Sequence, residues 1–371
     1  MNWRKYARTP FHLIGVETPG EDLRLISKKL QRKPYWWSNF PLILNFDPCN
    51  FCGQQYSKMG PCEWCFPQNE IARGRMKHQE MPWEQIVWIL NNINKYGSEM
   101  REATKKGMGM GSWDPFYDGD PLANKRLPEI LKLGKQIAPD INTEVFTCGS
   151  LTENAWMLCT ENLDRLHVTL SAHNAELYRK VHRGDRFDFV LETMRYITEH
   201  HKPNQKLIVN HVTTKTNLHY LQQWHDLMKN EFPEWQRAIV PLIVSSDNVY
   251  AKDALGNLTL SDQENAIKQV DSTSVVVAHE TIGLRQPCQL WSNMTILVDG
   301  TIMECCNWYN PIRHNYGNIK DYMANGYDLH DAWMMRLANK HNNVVCQTCA
   351  MRRPDAKKLL NKIRVTSCIK I

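Results

Sequence analysis

The chain has 371 residues, of which 42% are hydrophobic and 23% charged, and a formal net charge of +6. That is the composition of a soluble globular protein, with room for one large domain or two ordinary ones. It contains no apolar run of about 18 residues, so no membrane span is expected. The opening stretch MNWRKYARTPFHLIG also lacks the apolar core of a signal peptide, so a cytoplasmic protein is expected.

Residues 1–40 are basic and aromatic (Trp3-Arg4-Lys5-Tyr6, Arg32-Lys33-Pro34-Tyr35-Trp36-Trp37) and read as an extension laid over a core. Such aromatics can stack on nucleic-acid bases, although the same composition describes a packed core with a solvated rim. Residues 41–46 form a short apolar strand that runs directly into the first cysteines. Ile86, Ile89, Leu90 and Ile93 share helical spacing and predict a helix over 82–96. A glycine-broken strand is expected over 108–116, a helix over 127–137 with Pro128 in its first turn, and a strand over 142–147. Thr152 is the expected N-cap of a helix over 152–159. Strands at 166–170, 207–213 and 238–244 then alternate with helices at 187–200 and 218–228. This alternation means βαβ units and a parallel sheet. Six strands between residues 41 and 245 are too few for a closed eight-strand barrel. The predicted fold is therefore α/β, an open, partial (β/α)6 barrel with its chemistry at the C-terminal ends of the strands. Residues 246–285 read as a linker or cap, and 286–371 as a smaller cysteine-bearing domain.

The 12 cysteines need a reason in a reducing compartment, where clustered thiols point to metal. Cys49, Cys52, Cys62 and Cys65 form one group, and Cys288, Cys305, Cys306, Cys346 and Cys349 a second. Cys148, Cys159 and Cys368 stand alone, as small buried hydrophobes usually do. Paired C-x2-C spacings serve structural zinc as well as iron–sulfur clusters.

The run Leu42-Ile-Leu-Asn-Phe-Asp-Pro-Cys49-Asn50, continued by Cys62-Glu-Trp-Cys65-Phe66, resembles the first strand and cluster loop of the radical S-adenosylmethionine (SAM) superfamily. That family usually has C-x3-C-x2-C followed by an aromatic; here the first gap holds twelve residues. The 7-carboxy-7-deazaguanine synthases are similar in lengthening the same gap. The resemblance implies Cys49, Cys62 and Cys65 as ligands, since Cys49 directly follows the strand and precedes an Asn. Cys52 is the alternative first ligand, giving C-x9-C-x2-C.

Three further segments resemble the family in order. Gly119-Asp120-Pro121-Leu122, leading to Leu127-Pro128-Glu-Ile-Leu, is similar to its "GEPLL…LPEIL" segment. This implies that Asp120, standing where Glu is usual, receives the SAM ammonium, with Asp114 as a rival. Phe146-Thr147-Cys148-Gly149-Ser150-Leu151 resembles "TNGTLL". The segment from Leu166 through Ser171 and Tyr178 to Arg183 resembles the stretch after the fourth strand. That match implies Ser171 at the SAM ribose and Arg183, or His182, near the SAM carboxylate.

By resemblance, three thiolates hold a [4Fe–4S] cluster with one iron open to SAM, on the logic of an open catalytic metal site. Reduction, by a flavodoxin- or ferredoxin-like electron donor, cleaves SAM to a 5′-deoxyadenosyl radical that takes a hydrogen atom from the substrate. The second cysteine group, with the Asp-Gly hairpin of residues 295–303, Tyr316-Gly317-Asn318-Ile319 and Trp333, resembles the twitch form of the SPASM auxiliary domain. It implies an auxiliary [4Fe–4S] cluster on Cys288, Cys305, Cys346 and Cys349, with Cys306 a substitute for Cys305. The expected substrate is a residue within a peptide or protein; a nucleic-acid base, as in hypermodified phage DNA, or a small molecule is the alternative. The non-enzymatic alternative is a zinc-stabilised binding protein.

Overall fold

The computed structural model describes residues 40–56, 60–105, 111–242, 249–270, 275–277, 293–303 and 315–339. The six expected strands are present in order: β1 (Ile43–Phe46), β2 (Ser112–Asp114), β3 (Asn142–Thr147), β4 (Arg165–Thr169), β5 (Lys206–Thr213) and β6 (Gln236–Pro241). Each pairs in parallel with the next. Two further parallel strands flank them. β7 (Val275–Val277) joins β6, and β8 (Asn293–Ile296) joins β1 on its other side. β9 (Thr301–Met303) and β10 (Asn315–Asn318) continue antiparallel from β8, so the sheet runs β10-β9-β8-β1-β2-β3-β4-β5-β6-β7. The architecture is a mixed α/β fold around a partial parallel barrel. Residues 246–285, read as a linker or cap, contribute two helices and β7 to it.

The helices cover the outside of the sheet. Between β1 and β2 lie α1 (Phe66–Ala72), α2 (Trp83–Tyr96) and α3 (Ser98–Lys105); α4 (Leu127–Ile137) follows β2. Helices α5 (Ala175–Val181) and α6 (Phe187–His200) follow β4, α7 (Leu221–Glu231) follows β5, and α8 (Val249–Leu255) and α9 (Leu260–Gln269) follow β6. After β10 come α10 (Ile319–Ala324) and α11 (Leu329–Asn339). The predicted stripe of α2 is the buried one: Ile86, Ile89, Leu90 and Ile93 join the core, each contributing about 1.5–3 kcal/mol by leaving water. In α4, Pro128 sits in the first turn beside Glu129, and Lys135 in the last, as the helix dipole favours. Gly134 of that helix lets the Trp113 ring press against its backbone, since a Cβ there would stand 2.1 Å from the ring.

Three local expectations change. Residues Thr152–Leu158 are a 3-10 helix rather than an α-helix, and Leu151, not Thr152, is its N-cap. The Thr152 hydroxyl donates instead to the Phe189 carbonyl at 2.9 Å, tying this segment to α6. Of the strand expected over 108–116 the described residues hold Ser112–Asp114, and β6 starts two residues before its expected position. Among the described residues no helix is long and apolar enough to cross a membrane.

Candidate active site

The loops after β1, β2, β3 and β4 meet at the C-terminal ends of the strands, where an open parallel barrel gathers its functional groups. Three main-chain ties set the β1 loop. Asp47 N–H donates to the Ile296 carbonyl at 2.9 Å, Met81 N–H to the Pro48 carbonyl at 2.9 Å, and Asp120 N–H to the Phe51 carbonyl at 2.7 Å. Side-chain amides do the rest. Asn50 accepts from Gln79 N–H at 2.7 Å and donates to the Lys77 carbonyl at 2.8 Å. Gln68 donates to the carbonyls of Asn50 and Asp118 at 2.9 and 2.8 Å, joining the β1 and β2 loops. Asn69 donates to the carbonyls of Cys62 and Cys65 at 3.1 and 2.5 Å, holding the C-x2-C turn against the start of α1.

Four thiols converge here: Cys52, Cys62, Cys65 and Cys148. The charges of Cys65 and Cys148 act on Cys62, those of Cys62 and Cys65 on Cys52, and that of Cys148 on Cys65. Cys52 and Cys148 share a hydrogen bond. Burial, then mutual repulsion, raises Cys62 well above the usual thiol range; burial, with Asp118 and Cys148 beside it, pushes Cys65 up to about 12. Cys49 is also pushed up to about 12, by burial and then by Asp47, with Asp120 and Glu80 adding to it. Its backbone forms an antiparallel bridge with Glu80. Buried thiols that oppose one another's ionisation are a donor set for a cationic metal centre, because the metal charge reverses the repulsion and metal binding releases the protons. The residues therefore fit a thiolate-bound cluster.

Cys148 is the member that reads in the sequence as a lone hydrophobe. The one signal for it is its place at the end of β3, within the segment that resembles the family. The second cysteine group (Cys288, Cys305, Cys306, Cys346 and Cys349) lies outside the described residues.

Asp120 is buried and saturated. It accepts from Leu122 N–H at 2.9 Å, Thr147 Oγ1 at 2.7 Å, Cys148 N–H at 2.8 Å and Cys148 Sγ at 2.6 Å. Its rival Asp114 lies elsewhere, on β2 inside the barrel, where burial and then the charge of Glu144 raise it well above the carboxylate range. Ser171, fully buried, accepts from Val212 N–H through its hydroxyl at 3.0 Å, and its carbonyl accepts from Asn217 Nδ2 at 3.0 Å. Its own N–H donates to His182 Nε2 at 3.0 Å, and His182 Nδ1 lies 3.4 Å from Cys62 Sγ. Tyr178 stacks on His182 at 4.4 Å and takes a hydrogen bond from Gln54, two residues after Cys52. Arg183, just past the His182 cap of α5, takes the left-handed region at φ +53°, and its charge acts on Glu63, the residue after Cys62. Asp120, His182 and Arg183 thus border the thiols or the loop that carries them, and Ser171 reaches Cys62 through His182.

Below the thiols the barrel interior is polar. Register aligns Thr295, Asn45 and Asp114 across β8, β1 and β2. Glu144 of β3 meets His167 of β4 at 2.6 Å and Arg165 at 3.6 Å. Burial opposes ionisation of Glu144, but His167 and Arg165 hold its carboxyl below the usual range. Asn210 Nδ2 lies 3.2 Å from His167 Nδ1, and Phe146 stacks on His167 at 3.9 Å. Asn45 Oδ1 and Thr295 Oγ1 are buried with no hydrogen-bond partner among the described residues.

An open βα barrel with a cysteine loop after its first strand and polar groups lining its interior defines a barrel enzyme built around a thiolate-held metal centre. Residues 45–228 match the family model of the Radical SAM superfamily. The chain is similar in fold to Streptococcus suis SuiB, solved bound to S-adenosylmethionine (TM-score 0.61, 16% identity, covering 95% of this chain and 82% of that one). It is also similar to a histidine-tagged anSMEcpe with bound AdoMet (TM-score 0.52, 14% identity, covering 87% and 84%). No curated protein matches the chain. The chain is a radical SAM superfamily enzyme, and that fold implies S-adenosylmethionine and a [4Fe–4S] cluster.

Proposed function

We propose that Cys52, Cys62 and Cys65 hold the radical SAM cluster and that the chain abstracts a hydrogen atom from a residue within a peptide or protein. The observation that carries this is the gathering of these three thiols, with Cys52 beside Asp120, at the C-terminal end of the barrel. Asp120 acts on both Cys52 and Cys49, but Cys52 is favoured because Cys62 and Cys65 are its other charge neighbours, whereas those of Cys49 are Asp47 and Glu80. When bound, the cluster and S-adenosylmethionine together supply a 5′-deoxyadenosyl radical, the hard chemistry that the fold itself cannot provide. The chain's own part is orientation and exclusion of water. Asp120 offers a fixed carboxylate to the SAM ammonium, which would displace the Cys148 thiol from Oδ2, Ser171 borders the ribose, and Arg183 supplies a cation for the carboxylate. His182 donates to Cys62 and keeps that ligand in place. The polar interior below, where Asn45 Oδ1 and Thr295 Oγ1 have no partner among the described residues, receives the substrate's polar groups, since such buried atoms cost about 1–3 kcal/mol each until something pairs with them.

The auxiliary [4Fe–4S] cluster on Cys288, Cys305, Cys346 and Cys349 belongs to the same proposal. Its support is the order of those cysteines around the hairpin β8–β9. There Gly300 takes φ +90° and Thr301 N–H donates to Asp299 Oδ1 at 2.9 Å, closing the expected Asp-Gly turn. The peptide reading rests on the resemblance to SPASM-type enzymes, and a flavodoxin- or ferredoxin-like protein is the proposed electron donor.

Anaerobic purification tests the whole. The holo-protein should be brown, absorb near about 400 nm and carry roughly eight irons with matching sulfide, or about four if only the first cluster forms. Reduced protein given S-adenosylmethionine should release 5′-deoxyadenosine, and Cys62→Ala should abolish that release. Colourless protein holding zinc would overturn the reading, and unchanged release by Cys62→Ala would overturn the ligand set.

A further inference from the structure

We propose that Cys148 is a fourth protein thiol of the cluster site: it takes the iron left open by Cys52, Cys62 and Cys65 when S-adenosylmethionine is absent and releases it when S-adenosylmethionine binds. This rests on the reading of the site as an iron–sulfur site.

The placement carries the inference. The Cys148 and Cys52 sulfurs and a carboxylate oxygen of Asp120 all lie within 4.8 Å of one another. The charge of Cys148 also reaches Cys62 and Cys65, so this thiol neighbours each of the three proposed ligands. Its position is built in. The backbone N–H of Cys148 is anchored on Asp120 Oδ2 at 2.8 Å, and its sulfur lies 3.1 Å from Ser150 Oγ. Gly149 follows at φ +66°, its N–H on Thr147 Oγ1 at 2.9 Å, which turns the chain sharply away from β3. A Cβ at Gly149 would stand 3.2 Å from Val168, so the turn is also closely packed.

Where the resembled segment has Asn, this chain has a soft ligand suited to iron. It stands on the Asp120 side of the thiol group, the side proposed for the SAM ammonium. Cys148 and S-adenosylmethionine would then compete for one coordination position. In the exchange, the Cys148 iron–sulfur bond breaks and the amino nitrogen and carboxylate oxygen of S-adenosylmethionine bind. The released thiolate takes up the proton that the S-adenosylmethionine ammonium loses as its nitrogen binds iron, and no electron moves. The closed form, with four thiolates, protects the cluster as closed structural sites do; the open form is the catalytic one.

The test uses the full chain purified anaerobically with its clusters, as wild type, Cys148→Ser, and Cys159→Ser as a thiol control away from the site. Without S-adenosylmethionine, mild ferricyanide oxidation should strip the fourth iron from Cys148→Ser several-fold faster than from wild type or the control, read as the EPR signal of a three-iron cluster. Saturating S-adenosylmethionine should erase the difference. Cys148→Ser should also bind S-adenosylmethionine several-fold more tightly, having no thiolate to displace. Equal iron loss and equal affinity would overturn the proposal, as would a Cys148→Ser protein that cannot keep the cluster even with S-adenosylmethionine present. Mössbauer difference spectra of wild type alone give an independent measure. Adding S-adenosylmethionine should make one iron distinct, and an iron already distinct before the addition would overturn the proposal. Wild type that holds no iron–sulfur cluster would instead sink the reading of the site.

Discussion

The backbone N–H of Ser171 donates to Nε2 of His182 at 3.0 Å, and this one bond fixes which tautomer the ring adopts. With Nε2 accepting, the proton sits on Nδ1, which faces Cys62 Sγ at 3.4 Å. Burial lowers the ring to about 3, so it stays neutral and keeps that arrangement at physiological pH. The loop after β4 thereby orients a thiol in the loop after β1, the kind of outer contact that tunes a metal ligand.

Replacing His182 by Phe keeps a ring to stack on Tyr178 but removes both hydrogen bonds. Ser171 N–H is then left buried without its acceptor, at a cost of about 1–3 kcal/mol. We expect a lower urea midpoint for the apoprotein and a reduced iron content after anaerobic purification. Unchanged iron content would show that the contact to Cys62 is idle.

Asp120→Asn should harm the site despite its near-identical shape. The four groups that meet this carboxylate are all donors, and an amide presents them with a second donor where an acceptor stood. Two of its contacts cannot both be kept, so the apoprotein should lose about 1–3 kcal/mol and S-adenosylmethionine affinity should fall. Denaturant unfolding and equilibrium binding check the two effects separately.

Gly119→Ala should displace the cysteine loop. The added Cβ would lie 2.1 Å from the Cys49 carbonyl oxygen and 2.8 Å from that of Phe51, both backbone atoms that cannot swing aside. A cost of about 1–3 kcal/mol follows from overpacking, with a lower melting temperature and weaker cluster retention. Wild-type melting would mean that the two loops are not in contact.

Arg183→Gly separates backbone from charge. At φ +53° an L-residue pays about 1–2 kcal/mol that glycine does not, so the apoprotein should melt higher. If the guanidinium serves the SAM carboxylate, affinity should fall in the same variant. A rise in stability with unchanged affinity would remove Arg183 from the binding site.

Acid should destabilise the protein partly through His211. Burial, then the charges of His182 and His173, lowers this ring from 6.5 to about 3. Above pH 6.5 it is neutral in both folded and unfolded chains and has no effect. Between 6.5 and about 3 the unfolded chain takes a proton that the folded one refuses, so stability falls as pH falls. At about pH 5.5 the share of His211 is about 1.4 kcal/mol. Urea unfolding of the apoprotein at about pH 7.5 and about pH 5.5 should show His211→Phe losing less than wild type by that amount. Equal losses would mean that His211 titrates freely in the folded state.

Much of this was legible in the chain itself, because the signals are local. Apolar spacing within α2 and α6 fixed where those helices lie, since 3.6-residue periodicity records one buried face. The alternation of strands and helices from residue 41 to 241 implied a parallel sheet, and the Asp299-Gly300 pair implied its hairpin. The C-x2-C of Cys62 and Cys65 could be read from neighbouring residues alone, whereas Asp120, Ser171 and Arg183 came from the order of segments that resemble the family. The flanking strand β7 could not be read in this way, because a three-residue strand leaves no periodicity, and neither could the pairing of β8 with β1, which lies far back along the chain. The same limit applied at the site. Which cysteine of the first pair faces Cys62 and Cys65, why Cys148 belongs with them, and how His182 meets Cys62 depend on strands β1, β3 and β4 lying side by side in one sheet. Spacing along a sequence records which thiols are near in the chain; only the closing of the sheet decides which are near in space.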